Sequence, residues 1–389
     1  RLFVNMGDGT FKDMAKEYGV ADTGYSMQSV FFDYDKDGDR DLYVLTNALV
    51  DYNRNTSKYK TSDGSAQSTD RLYRNNGDGT FTNISMEAGI TMEGFGLGVS
   101  VCDINKDGWL DLYISNDFLT DDLLLVNNQD GTFSDRLTDY FKHLSYNGMG
   151  NDVGDLNNDG NPELFTVDMF PNSNERIKQT MMKPSLDVLD HNISLGYAPQ
   201  FVRNTLQLNN GNETYSEIGQ FSGIYNTDWS WAPLIADFDN DGFNDLFITN
   251  GYRRDITNLD YQSYTQRPAK YQTEDELIQG ELERVSSLPE VKLSNYIYKN
   301  NGDLTFTEKI EEWGFETPLY SNGAAFADLD NDGDLDLVVN NIDDPVSIYR
   351  NNTMEQATAD DPISYLTLQL KGKANEDLTG TEVWVYQDG

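Results

Sequence analysis

The stretch DYDKDGDRD, Asp33 to Asp41, decides the reading of this chain because the sequence writes it five times. The other copies are DINKDGWLD (Asp103 to Asp111), DLNNDGNPE (Asp155 to Glu163), DFDNDGFND (Asp237 to Asp245) and DLDNDGDLD (Asp328 to Asp336). Positions 1, 3, 5 and 9 are Asp33, Asp35, Asp37 and Asp41 in the first copy and Asp103, Asn105, Asp107 and Asp111 in the second. They are Asp155, Asn157, Asp159 and Glu163 in the third, Asp237, Asp239, Asp241 and Asp245 in the fourth, and Asp328, Asp330, Asp332 and Asp336 in the fifth. Gly always stands at position 6. This oxygen-rich spacing suits a hard cation: calcium takes ~6–8 oxygens at about 2.3–2.6 Å, and the Gly permits the turn that folds alternate side chains inward. Position 7 (Asp39, Trp109, Asn161, Phe243, Asp334) follows no chemical rule, as expected of a residue that contributes only its backbone carbonyl.

An EF-hand would need a bidentate Glu at position 12 and flanking helices. Here that position is Val44, Ile114, Thr166, Ile248 and Val339, inside short aromatic and β-branched runs such as LYVLTN and LFITNG that read as strands. The loop therefore joins strand to strand. A single copy would pass as a polar hairpin turn, but five copies with the same ligand positions do not. Two carboxylates about 5 Å apart repel by roughly 3 kcal/mol at an effective dielectric near 20, so these turns should splay without a cation.

A second element recurs: NMGDGTF at Asn5, NNGDGTF at Asn75 and NNQDGTF at Asn127, with looser copies at Asn209 and Asn300, while Asn351 keeps only NNT. Asn-Gly and Asp-Gly supply the positive φ angles of tight hairpins. The most compact repeat, Gly96 to Arg136, reads as four strands: LGVSVCD, the acidic loop, LDLYIS, LLLVN, the GDGT-type turn, and TFSDRL. Four antiparallel strands repeated radially describe a β-propeller blade, so the fold class is all-β, with six or seven such blades expected in the intact protein. Strand direction puts the acidic loops and GDGT-type turns on one face. Successive loops start 70, 52, 82 and 91 residues apart, and the excess falls between strands two and three, on the other face. Those insertions are 47–70, 169–204 and 251–295. The last holds TEDELIQGELERVSSL, where Thr273 and Glu276 make a capping box and Leu277, Ile278, Leu282, Val285 and Leu288 form a helical stripe.

The formal charge of −38 argues against nucleic acid or an anionic membrane surface as partner. Eighteen of the 66 acidic residues are ligand-position carboxylates, and five calcium ions would bring the charge to about −28. The one cysteine, Cys102, allows no internal disulfide and reads as a small core residue. No run of 18 apolar residues spans a membrane. The two histidines, His143 and His191, sit in no nucleophile motif, and no phosphate-cradling Gly-rich loop is present. Trp229 and Trp231 in TDWSWAPL lie on the first strand of the fourth blade, where core packing and stacking against a sugar ring are both open readings.

The DxDxDGxxD loops, preceded by segments such as GFGLGVSVCD and YSNGAAFADLD, resemble the FG-GAP or VCBS repeats of integrin α-subunit propellers and their bacterial relatives. With LYRNNGDGTF they are similar to the group that includes cartilage acidic protein and many bacterial surface proteins. The resemblance covers roughly residues 1 to 352. It implies calcium ligation at the loop positions named above, five ions in all, with Glu163 and Pro162 a departure in the third loop. It divides the chain into a propeller (1–360) and a C-terminal β module (361–389) similar to the start of UnbV/ASPIC. It also implies an extracellular or cell-surface protein, with any signal or lipid-anchor region upstream of Arg1. The function expected is non-catalytic binding of a surface protein or glycan. The alternatives are a carbohydrate-active lyase or hydrolase on a calcium-bearing propeller, and a structural subunit of an outer-membrane complex.

Overall fold

The computed structural model describes residues 1–47, 57–117, 119–180, 185–261 and 274–356, with isolated positions beyond. Thr273 and most of the expected C-terminal module lie outside the described residues. The chain opens with a hairpin, β1 (Phe3–Asn5) and β2 (Phe11–Asp13). The first blade is β3 (Tyr25–Phe32), β4 (Asp41–Asn47), β5 (Arg71–Asn75) and β6 (Phe81–Asn83). The second is β7 (Gly96–Cys102), β8 (Asp111–Asn116), β9 (Leu123–Asn127) and β10 (Phe133–Asp135). A short strand, β11 (Leu144–Ser145), precedes the third blade, which begins with β12 (Gly150–Gly154) and β13 (Glu163–Val167). β14 (Gln200–Phe201) pairs in parallel with β11, and β15 (Thr205–Asn209) and β16 (Tyr215–Glu217) complete the third sheet. The fourth blade is β17 (Ser230–Ala236), β18 (Asp245–Asn250), β19 (Tyr296–Asn300) and β20 (Phe306–Glu308).

Among the described residues the fifth blade shows three of the four expected strands. It contains β21 (Ser321–Ala327), β22 (Asp336–Asn341) and β23 (Ser347–Tyr349), after which Thr353–Gln356 is helical. The cause is local. The earlier turns place glycines at positive φ, as at Gly77 (71°) and Gly79 (85°), whereas NNTMEQ has none, and Thr353 N–H instead bonds the Asn351 side chain at 3.1 Å.

Each blade sheet is antiparallel, and the first strands β3, β7, β12, β17 and β21 pack against one another in that order around the axis. The apolar cores lie between blades. On β8, Leu112 and Ile114 face the core shared with the first blade, while Tyr113 between them faces the core shared with the third. On β9, Leu123 and Leu125 split from Leu124 and Val126 in the same way. A middle blade is thus buried on both faces, which is why its strands read as continuous apolar runs rather than alternating ones. Cys102 packs beside the second of these cores, and burial pushes its thiol well above the usual range. The outward face of β3 shows Tyr25 and Met27, about half exposed, and β21 shows Phe326.

A repeated polar staple fixes the end of each of the first four blades remote from the acidic loops. The residue before strand three accepts the backbone N–H at the end of strand two: Asp70 from Thr46 (2.7 Å), Asp122 from Asn116 (2.8 Å), Asn204 from Asp168 (2.8 Å) and Asn295 from Asn250 (2.9 Å). The two insertions that follow β13 and β18 begin there. Helices Asn174–Gln179 and Leu186–Ser194 start at Ser173 and Ser185, whose side chains accept from Arg176 and Val188 N–H. The helix expected from TEDELIQGELERVSSL runs Glu274–Ser287.

Candidate metal centres

Each acidic loop folds by the same set of bonds. The position-1 carboxylate accepts the N–H of the position-6 Gly: Asp33 from Gly38, Asp103 from Gly108, Asp155 from Gly160, Asp237 from Gly242 and Asp328 from Gly333, at 2.7–3.2 Å. Position 4 takes a positive φ of 55–62° in all five (Lys36, Lys106, Asn158, Asn240, Asn331). The position-5 carboxylate accepts from position 7, as Asp107 does from Trp109 N–H at 2.8 Å and Asp159 from Asn161 at 2.7 Å. Position 7 therefore belongs to the loop through its backbone, whatever its side chain.

The position-9 carboxylates are buried and have a second duty. One oxygen accepts the N–H of position 2 and the other the N–H of the Asn that closes strand three. Asp41 holds Tyr34 (3.3 Å) and Asn75 (2.8 Å), and Asp111 holds Ile104 (3.0 Å) and Asn127 (2.8 Å). Asp245 holds Phe238 (3.0 Å) and Asn300 (2.8 Å), and Asp336 holds Leu329 (3.0 Å) and Asn351 (2.8 Å). Glu163, one methylene longer, holds Leu156 at 2.8 Å but Asn209 only at 3.4 Å. Burial pushes Asp41, Asp111, Glu163 and Asp245 up to about 7. A carboxyl so displaced is one that a bound cation would return to its charged form.

Among the described residues, Asp33, Asp35 and Asp41 converge within 4.8 Å, as do Asp237, Asp239 and Asp245, and Asp328, Asp330 and Asp332. Buried oxygens Asp33 Oδ1, Asp39 Oδ1, Asp239 Oδ1 and Asp334 Oδ1 have no hydrogen-bond partner. Orphaned carboxylate oxygens at the centre of converging acids fit a hard divalent cation. In the second and third loops, Asn105 and Asn157 use their amide to bond Asp107 and Asp159, both at 3.1 Å, which relieves part of the repulsion internally.

Basic residues complete two of the clusters, and the motif spacing does not reveal them. Lys299, the residue before the strand-three Asn, forms ion pairs with Asp239 and Asp241. Arg350, at the same place in the fifth blade, pairs with Asp330, Asp332 and Glu355. Glu355 also converges with Asp332 and Asp334, an acidic group the ninefold spacing misses. Arg74 holds the equivalent position in the first blade, so the signal was a basic residue before Asn in LYRN, YKN and YRN.

Neighbouring loops touch. Asn158 donates to Gly242 O (2.9 Å), Asn240 to Gly333 O (3.0 Å), and Lys36 Nζ lies 4.4 Å from the Trp109 ring centre. Of the two histidines, His143 has structural partners: its Nε2 sits 3.3 Å from Glu217 and 3.0 Å from Arg203. Trp229 and Trp231 pack against the core between the third and fourth blades, in keeping with a core role for the ring faces. No helix among the described residues is long and apolar enough to cross a membrane.

Compared with known protein families, the chain matches the FG-GAP-like repeat over residues 1–44, 61–114, 103–166, 195–248 and 289–339. No curated protein matches it. Among solved structures, the crystal structure of the V. cholerae biofilm matrix protein Bap1 is similar, with 11% identity and a TM-score of 0.29, over 61% of this chain and 37% of that one. The chain thus spans little more than a third of that protein's length.

Proposed function

The chain belongs to the FG-GAP-like repeat family, and from that premise we propose a calcium-stabilised propeller, extracellular or at the cell surface, that binds a protein or glycan partner and performs no catalysis. Calcium, when bound, would add positive charge to the loop carboxylates, which the described residues bring together in the first, fourth and fifth loops. The Asp and Asn side chains and Glu163 named above would hold it, and the position-9 residues, each at the start of strand two and bonded to strand three, would link that site to both strands.

The observation that carries the reading is the division of labour between the two ends of the propeller. The loop end is built from repeated, mutually bonded turns. The other end carries the three insertions, which differ in length and sequence from blade to blade. Rigid scaffolds commonly place recognition on such loops, and long structured insertions are uncommon without a use. The test replaces Glu274–Ser287 by a Gly/Ser linker and compares calcium-dependent melting with glycan-array binding and capture of surface proteins. Retained melting with lost binding supports the insertion rim; unchanged binding places recognition elsewhere.

A further inference from the structure

The fifth loop carries more acid than its motif requires. Position 7, which is Trp109, Asn161 and Phe243 in the second, third and fourth loops, is Asp334 here. Where the first blade has the turn residues Gly77, Asp78 and Gly79, the fifth has Thr353, Met354 and Glu355, inside the helical turn Thr353–Gln356. The oxygens offered by Asp332, Asp334 and Glu355 all lie within 4.8 Å of one another, and Asp332 belongs as well to the group formed with Asp328 and Asp330. Two oxygens on one calcium, with bonds of about 2.3–2.6 Å, stand at most about 5 Å apart, so the second group is spaced for an ion of its own.

Asp334 points to an occupant. Its side chain is fully buried, and Oδ2 accepts the Met354 N–H at 3.0 Å while Oδ1 has no partner. Arg350 pairs with Asp330, Asp332 and Glu355 and still leaves that oxygen unsatisfied. An ionised carboxylate only accepts, so neither Asp332 nor Glu355 can satisfy it without a proton or a cation between them. The other two members keep the group open to solvent, since the Glu355 side chain is 44% exposed and that of Asp332 23%.

Charge separates the two candidates. Asp328, Asp330, Asp332, Asp334, Asp336 and Glu355 face one guanidinium, and a single calcium leaves about −3, whereas a second brings the cluster to about −1. About −1 is also what the three ligand carboxylates of the second or third loop reach with one ion. A proton would remove only one of those charges. The first loop, with Asp39 at position 7, has a comparable excess, but Gly79 stands at the place of Glu355 and supplies no third carboxylate.

We propose that Asp332, Asp334 and Glu355 hold a sixth calcium ion, beside the one held by Asp328 and Asp330, with Asp332 bridging the two. Paired divalent ions sit about 3.5–4 Å apart in two-metal sites, a separation one bridging carboxylate spans. This ion fastens the helical turn Thr353–Gln356 to the loop. Asn240 of the fourth loop reaches the same point, donating to Gly333 O at 3.0 Å and lying 3.4 Å from Met354 Sδ. The inference rests on calcium being the cation of the loops.

The test counts calcium equivalents on the full chain, stripped with chelator and titrated with calcium alone. Glu355→Gln, a change on an exposed side chain, should bind one ion fewer than the unmodified chain, and Asp328→Asn one fewer. Asp332→Asn should bind two fewer, and Asp39→Asn should lose none. Anomalous density from crystals grown in calcium should place an ion within about 2.6 Å of Asp334 Oδ1. The proposal is overturned if Glu355→Gln binds as many ions as the unmodified chain, if a folded Asp332→Asn loses no more than Asp328→Asn, or if Asp334 Oδ1 meets only a water or another carboxyl oxygen. Each of these leaves the loop ions standing. An unmodified chain that binds no calcium and melts identically in chelator would instead remove the loop reading and this site together.

Discussion

Asn300 donates its side-chain amide to the backbone carbonyl of Leu156, 144 residues earlier, at 2.8 Å. Leu156 is position 2 of the third loop and Asn300 closes strand three of the fourth blade, so the bond joins adjacent blades at the acidic end. Asn127 bonds Tyr34 O (2.8 Å) and Asn351 bonds Phe238 O (2.7 Å) in the same manner. The same Asn gives its backbone N–H to the position-9 carboxylate. One residue type therefore ties together a turn, its own acidic loop and the previous blade.

Asn300→Ala strips donors from two carbonyls, Leu156 O and Asn244 O, and the acceptor of Gly302 N–H. With unpaired buried groups at about 1–3 kcal/mol each, the variant is expected to lose roughly 2–4 kcal/mol in urea unfolding. Asn301→Ala, whose side chain bonds only exposed Thr305 and Thr307, is expected to lose under about 1 kcal/mol. Equal losses would show that the inter-blade bond contributes nothing special.

Lys299 occupies the carboxylates that a cation would use in the fourth loop, and hydrogen bonds to Asp239 and Asp241 hold its ammonium above the usual lysine range despite burial. Lys299→Met should lower the melting temperature in excess chelator and leave it nearly unchanged in 1 mM calcium, so the calcium-induced rise grows. For a site of ~10 μM affinity, 1 mM calcium contributes about 2.7 kcal/mol. A wild-type melting curve that chelator does not move would refute calcium stabilisation altogether. Magnesium should substitute poorly, since it demands a tighter octahedron.

The staples at the opposite end carry their own pH dependence. Burial pushes Asp70 and Asp122 up to about 7, with Tyr43 and Tyr113 hydroxyls donating to them. These folded values lie above the ~3.9 of an unfolded Asp, so folding takes up protons between about pH 4 and 7. Their contribution to stability therefore falls as the pH rises through that window and levels off above it. In saturating calcium, Asp70→Asn combined with Asp122→Asn should flatten the fall in melting temperature between pH 5.5 and 8, because the amide still accepts from Thr46 and Asn116 N–H without titrating. An unchanged slope would assign the dependence to other groups.

The repeated motifs made the blades legible: five acidic loops, the Asn-Gly and Asp-Gly turns, and strands of the right length were all in the sequence, as was the segregation of insertions to one end. The staples were not. Asp70, Asp122, Asn204 and Asn295 vary in type and follow connections of unequal length, so no fixed spacing marks them. That the described residues of the fifth blade form only three strands was half legible, since NNT lacks the turn glycines. The cleft lined by Asn147 and Trp229 was not legible at all, because those residues lie 82 positions apart and line one cleft only when the third and fourth blades dock. Periodicity finds what repeats; a site built from the non-repeating insertions leaves no period to find.

The contacts between loops set how far damage to one should spread. Asp237→Ala removes the acceptor of Gly242 N–H and leaves Asp239, Asp241 and Asp245 with less compensation. Gly242 O accepts from Asn158 in the third blade, and Asn240 of the same loop donates to Gly333 O in the fifth. Disorder in this loop therefore reaches both flanking loops directly. Among the described residues the first blade has no such bond to it and should feel the change only through intervening blades, as expected where units couple mainly to neighbours. Hydrogen exchange in calcium should show faster exchange across β17 to β20, a smaller increase in the loops at 155–163 and 328–336, and none in β3 to β6. Calcium titration should show the loss of a single binding equivalent. Uniform loss of protection across every blade would mean that the ring unfolds as one cooperative unit and that its loops are not separable metal sites.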